Sequence, residues 1–113
     1  MDCLFCQIAA RKIPASIIYE DELTVAFDDL QPKAPHHKLI IPRKHIATLN
    51  DIGPDDTIIV GQLLQTASKI AKELFIAEPG YRIVMNCNQD AGQAVFHIHL
   101  HLLGGRTLTW PPG

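Results

Sequence analysis

No apolar run in this chain is long enough to cross a bilayer as a helix. No basic run exceeds two residues and the net charge is -2, so nothing marks a polyanion-binding surface. Double-stranded nucleic acid and membranes are therefore not expected partners, whereas a single nucleotide is compatible. The opening stretch, MDCLFCQIAARKIP, is too short and too polar to read as a signal peptide. Three cysteines are an odd number and suit no disulfide framework, which favours a reducing, cytoplasmic setting. In that setting Cys3-x-x-Cys6 reads as a metal pair or as two free thiols. Internal repeats, low-complexity segments and linkers are absent too. With 47% hydrophobic and 19% charged residues, the 113 residues are expected to form one globular domain, 1–113, around a single core.

What is present alternates strand and helix signals. Residues 3–10 predict a short helix with Leu4, Phe5 and Ile8 on its apolar side. Strands are predicted over 16–20, 22–28 and 37–42, with a proline-bearing loop at 30–35. Gly53-Pro54-Asp55-Asp56 has a proline and acids where a helix begins. Ile59, Leu63, Ala67, Ile70 and Leu74 then recur every three or four residues, so one long helix is expected to end near Phe75. Residues 81–86 predict a strand, 88–93 a polar loop, and 95–103 a last strand stopped by Gly104-Gly105. This order implies an α+β fold: an antiparallel sheet with the long helix on one face and the other face open.

The sharpest feature is His97-Ile98-His99-Leu100-His101. Strand side chains alternate faces, so the three imidazoles are expected on the open face, with Ile98, Leu100 and Leu102 under the long helix. Thr, Lys or Glu would serve a wet face equally well, so three imidazoles in register point to chemistry. Histidines at i and i+2 suit a metal with an open position. They equally suit a nucleophile oriented by its neighbours. His36 and His37 read as loop and strand-start residues with no catalytic role.

The run His97-Ile98-His99-Leu100-His101-Leu102-Leu103 resembles the motif of the histidine triad (HIT) family. Gly92-Gln93, Gly104-Gly105-Arg106, Trp110-Pro111-Pro112-Gly113, Ile13-Pro14-Ala15, Ala26-Phe27-Asp28-Asp29, Pro32-Lys33-Ala34-Pro35, Ile41-Pro42-Arg43-Lys44-His45 and Gly80-Tyr81-Arg82 extend the likeness. They point to its Hint branch of nucleotide-binding proteins, over almost the whole chain. The resemblance implies hydrolysis of purine nucleoside phosphoramidates and related nucleotide esters to a nucleoside monophosphate. His99 is the implied nucleophile, forming a nucleotidyl-histidine. The backbone carbonyl of His97 sets its tautomer, and His101 donates to a phosphoryl oxygen, where its charge would also help the amine leave by proton transfer. Asp29 is the implied ribose acid, and Phe5, Ile8, Phe27 and Leu30 the base slot. Asn86 and the loop Gly92-Gln93-Ala94-Val95 would contact the phosphate. Read as ordinary structure, Asp29 and Asn86 are turn or strand-end residues, the glycine is turn chemistry and Phe27 is core. Many members carry serine where Ala94 stands, which alters the hydrogen bonding open to the leaving group.

Cys3 and Cys6 have the spacing of half a zinc site. The resemblance adds His45 and His97 as the other two ligands of a structural Zn2+. Four ligands fill the shell, so catalysis itself is expected to need no cofactor. Two reduced thiols packed under the sheet are the plain alternative. The resemblance also implies a homodimer in which the long helix and the fifth strand pair about a two-fold axis and continue the sheet. Trp110 and the prolines after it would then reach the partner's active site. Competing functions are a metal-dependent hydrolase, a nucleotide-binding regulator or scaffold, and a dinucleoside polyphosphate hydrolase.

Overall fold

Proline 42 decides where the histidine run stops being a strand. The computed structural model describes residues 3–113. Its elements are α1 (Leu4–Ala9), β1 (Ile17–Glu20), β2 (Thr24–Asp28), β3 (His36–Pro42), α2 (Thr57–Glu73), β4 (Tyr81–Val84), α3 (Asn88–Ala91) and β5 (Leu100–Gly104). The five strands make one antiparallel sheet in the order β1-β2-β3-β5-β4, as the α+β reading expects. The last strand begins at Leu100, however, and not at residue 95. Ile40 pairs with Leu100, so the next paired position would set Ile98 against Pro42, which has no N–H to give. The N–H of Ile98 turns instead to the carbonyl of Ile46, at 2.7 Å.

The helix-start signal is also refined. Pro54–Asp56 forms a single 3-10 turn, in which an Asp56 carboxylate oxygen accepts the N–H of Gly53 at 2.9 Å, and α2 follows. Leu63, Ala67 and Ile70 of α2 are buried against Ala26, Ile40, Ile98, Leu100 and Leu102. One turn of helix, α3, stands in the polar loop, closed by Gly92 at φ +79°. No helix among the described residues is long and apolar enough to cross a membrane.

The second face of the sheet is open only in part, on its β4 side. Phe5 and Ile8, three apart on α1, pack on Val25, Phe27, Leu39 and Ile41 and close a second core. Leu4, expected on that apolar side, is 46% exposed instead. The histidine run lies beneath this cover. His97 and His99 are buried and His101 is half-buried, so they do not pave a wet surface. The assembly expected from the sequence also needs correcting, because β5 is bonded on both sides, to β3 and to β4. The free edge on this side of the sheet belongs to β4.

Candidate active site

Two of the triad imidazoles, His97 and His99, each meet a backbone carbonyl that fixes their proton. His97 Nε2 lies 2.8 Å from the carbonyl of Pro42, so it carries hydrogen and leaves Nδ1 bare. His99 Nδ1 lies 2.8 Å from the carbonyl of His97, so it donates there and leaves Nε2 as a lone pair. The Phe5 ring stands edge-on to His99, with centroids 5.1 Å apart. It gives that imidazole an apolar wall.

His101 is wired through a residue to which the sequence reading gave no role. The N–H of Lys33 donates to His37 Nδ1 at 3.0 Å. His37 therefore holds its proton on Nε2, 2.9 Å from His101 Nδ1 and 3.4 Å from an Asp29 carboxylate oxygen. His101 accepts at Nδ1 and keeps its own proton on Nε2. Burial pushes His101 down to about 4, and the charges of His99 and His37 add to that against Asp29. Burial also lowers His37, opposed by Asp29 and reinforced by Lys33. The strand period does put His37 on one face with Leu39 and Ile41. Only the β3–β5 register, absent from the sequence, brings it beside His101.

Asp29, Lys33, His37, Asn86, His101 and Pro112 are among the residues that line one cleft of about 330 Å³. Asp29 also performs the turn role open to it, accepting the N–H of Gln31 at 2.8 Å through its other oxygen. Phe5, Ile8 and Phe27 are buried together beside the triad, whereas Leu30 is 91% exposed and stands apart from them. Gln93 is a buried staple. Its amide donates to the carbonyls of Ala47 and Val95 at 2.8 and 3.1 Å, and its oxygen accepts the N–H of Asn88 at 2.9 Å. Ala94 is exposed, and Val95 packs on the Phe5 cluster. Trp110 lies outside the cleft with Arg82 over its ring, 5.9 Å from the centroid. Pro112 borders the cleft of its own chain, a placement the expectation for the tail did not include. A larger hollow of about 630 Å³, between the end of α2 and β4, contains none of the triad.

Cys3, Cys6, His45 and His97 converge at the base of the triad. His97 Nδ1 lies 3.3 Å from Cys3 Sγ, 3.5 Å from Cys6 Sγ and 3.2 Å from His45 Nδ1, and Cys6 Sγ lies 3.5 Å from His45 Nδ1. Donors around a tetrahedral zinc stand roughly 3.3–3.8 Å apart, given bonds of about 2.0–2.3 Å. The bare Nδ1 of His97 faces inward and its Nε2–H is anchored to a carbonyl, the arrangement a ligating histidine needs. These residues fit a zinc ion. Burial and the neighbouring Cys3 raise the Cys6 thiol. Asp29, His37 and His101 also lie close together. There the second nitrogen of His37 faces an N–H donor, which leaves no place for the proton a metal on Nε2 would require, so this group does not fit a metal.

The HIT domain pattern matches residues 10–108. The purine nucleoside phosphoramidase of Escherichia coli K12 is 48% identical over 107 residues, covering 95% of this chain and 90% of the relative. Among solved structures, a HIT family hydrolase from Legionella pneumophila superposes with TM-score 0.97 at 54% identity, over 99% of this chain and 100% of that one. A histidine triad protein from Clostridium difficile superposes with TM-score 0.93 at 44% identity, over 96% and 95% of the two chains. On these grounds the chain belongs to the HIT domain family.

Proposed function

We propose that the protein is a nucleotide hydrolase that cleaves purine nucleoside phosphoramidates and related nucleotide esters through a covalent nucleotidyl-His99. One observation carries this reading: His99 has its Nδ1 proton committed to the His97 carbonyl, so its Nε2 lone pair is ready to attack phosphorus. The name of the Escherichia coli relative supports the substrate class. Attack forms an N–P bond and expels the amine, and water then cleaves the N–P bond to give the nucleoside monophosphate. His101 Nε2–H is suited to a non-bridging oxygen where negative charge develops. Asp29 is suited to accept from the ribose hydroxyls, and the backbone N–H groups of Ala94 and Val95 to donate to the phosphate, since that of Gln93 is held by the Asn88 carbonyl at 3.1 Å.

In the same proposal Cys3, Cys6, His45 and His97 hold a structural zinc. The ion would tie α1 to the start of the histidine run and supply no chemistry to the reaction. The assembly is a homodimer joined along the free edge of β4 and the outer side of α2, where Ile58 is 77% exposed and Leu64 is exposed as well. The protein works in a reducing cytoplasm. His99→Asn tests the catalytic assignment: turnover of an adenosine phosphoramidate disappears while AMP binding persists. Turnover retained by this variant refutes it. Loss of activity on chelation from a protein that stays folded would favour the metal-dependent alternative.

A further inference from the structure

The leaving nitrogen of a phosphoramidate needs a proton. Among the described residues His101 Nε2–H is the one triad N–H not donated to the backbone. Its wiring nevertheless argues against proton transfer. An imidazolium carries hydrogen on both nitrogens. His101 Nδ1 is 2.9 Å from His37 Nε2, so a proton there requires that His37 nitrogen to be bare. A neutral His37 would then carry hydrogen on Nδ1, against the Lys33 N–H at 3.0 Å. A backbone N–H does not change its proton. Lys33 therefore keeps Nδ1 of His37 bare, His37 keeps Nδ1 of His101 bare, and His101 holds one proton, on Nε2.

Lys33 is itself held. Arg106 donates to its carbonyl from Nη2 and Nε, at 2.9 and 3.3 Å, and from Nη1 to the Thr107 carbonyl at 3.1 Å. Gly105 brings the chain to this position at φ +93°, where a Cβ would lie 2.9 Å from Pro35 Cβ. Two N–H groups of one rigid guanidinium on a single carbonyl hold the Lys33–Ala34 peptide firmly, and with it the adjoining peptide whose N–H meets His37. The charged and titratable groups facing the pair are Asp29, which favours added positive charge, and Lys33 and His99, which oppose it.

We infer that Arg106 and the Lys33 N–H are positioning groups that lock His37 and His101 in one neutral tautomer, so that His101 acts as a hydrogen-bond donor and not as an acid. The kinetic half of this inference rests on the nucleotide-hydrolase reading; the tautomer half does not. Neutral imidazole is an established electrophile where charge is stabilised without proton transfer. His99 Nε2 bonds to phosphorus, the P–N pair leaves with the amine nitrogen, and that nitrogen takes its proton from water. The hydroxide left behind attacks phosphorus, the bond to His99 breaks, and the Nε2 lone pair returns.

Histidine 15N NMR on the full chain, with and without AMP at neutral pH, reads the tautomers directly. His37 and His101 should both be Nε2–H, and remain so in Lys33→Ala, which keeps the backbone N–H. Arg106→Ala and Lys33→Pro should show mixed tautomers, with His101 titrating about one pH unit higher, the equivalent of one lost hydrogen bond. Imidazolium at His101 in the wild-type AMP complex, or a single unchanged tautomer in Arg106→Ala, overturns the inference. Kinetics with adenosine phosphoramidates of graded amine basicity supply the second arm. His101→Gln should lower kcat by one common factor for every amine, up to about a hundredfold. A loss that grows with amine basicity identifies His101 as an acid and overturns the inference. Failure of wild-type protein to turn over any of these compounds counts against the hydrolase reading and leaves the NMR result standing.

Discussion

His99 and His101 carry their single protons on opposite ring nitrogens, Nδ1 in one and Nε2 in the other, and in the proposed reaction this difference suits one to attack and the other to donate. The spacing of the triad is plain in the sequence, and the role proposed for its middle member comes from the family resemblance. His37 is not, because its place beside His101 depends on a strand register that no local pattern encodes. Two consequences are testable at single residues. Asp29→Asn should retain the turn bond to Gln31 and lose charge at the ribose. Discrimination between ribo- and 2′-deoxyribonucleotide substrates should fall about tenfold, near one hydrogen bond in free energy; unchanged discrimination places the ribose elsewhere. The second concerns pH. Folding lowers His37 and takes His101 to about 4, below the ordinary imidazole value of 6.5. Between those values the unfolded chain binds more protons than the folded one. Their contribution to stability is complete above 6.5 and is lost as pH falls towards 4. Urea unfolding at neutral and mildly acidic pH should show a smaller acid loss in His101→Asn than in wild type; an equal loss contradicts the assignment.

At the scale of elements, α2 and the strands follow from periodicity, and the misreadings have local causes. The last strand is cut short by the missing N–H of Pro42, and the face expected to be open is roofed over β2 and β3 by Phe5 and Ile8. A six-residue helix is too short to hold itself there by propensity. Its packing and the Cys3–Cys6–His45–His97 cluster locate it beside His99. One zinc per chain by elemental analysis is expected, and its removal should lower the unfolding midpoint by about 5 °C or more, the size of a 1 kcal/mol loss. Catalysis by the folded protein should survive; unchanged stability would remove the metal from the account. The end of α2 carries backbone strain. Phe75 sits at φ +60° and is 89% exposed, where glycine would normally close the helix. Phe75→Gly should stabilise the protein by about 0.5–1 kcal/mol in denaturant titration. A destabilised variant would mean that the ring is engaged in the assembled protein.

The whole molecule combines a core on each side of the sheet with edge strands β1 and β4 and an apolar outer side of α2. Light scattering should return twice the chain mass, and a charge introduced at Ile58 should shift it towards the monomer; a monomeric wild type removes the dimer. The tail is fastened by Arg82, which donates to the Thr109 carbonyl at 2.9 Å and covers Trp110. A chain ending at Arg106 should change its preference among leaving groups more than its stability, since the tail borders the cleft and lies outside both cores. Whichever of these holds, the enzyme stands or falls with a bond between one imidazole and phosphorus. Rapid quench of the wild-type protein with an adenosine phosphoramidate, followed by mass spectrometry of its peptides, should find AMP attached to the peptide at His99 during turnover. Turnover with no adduct on that peptide, or with the nucleotide on another residue, would contradict the account.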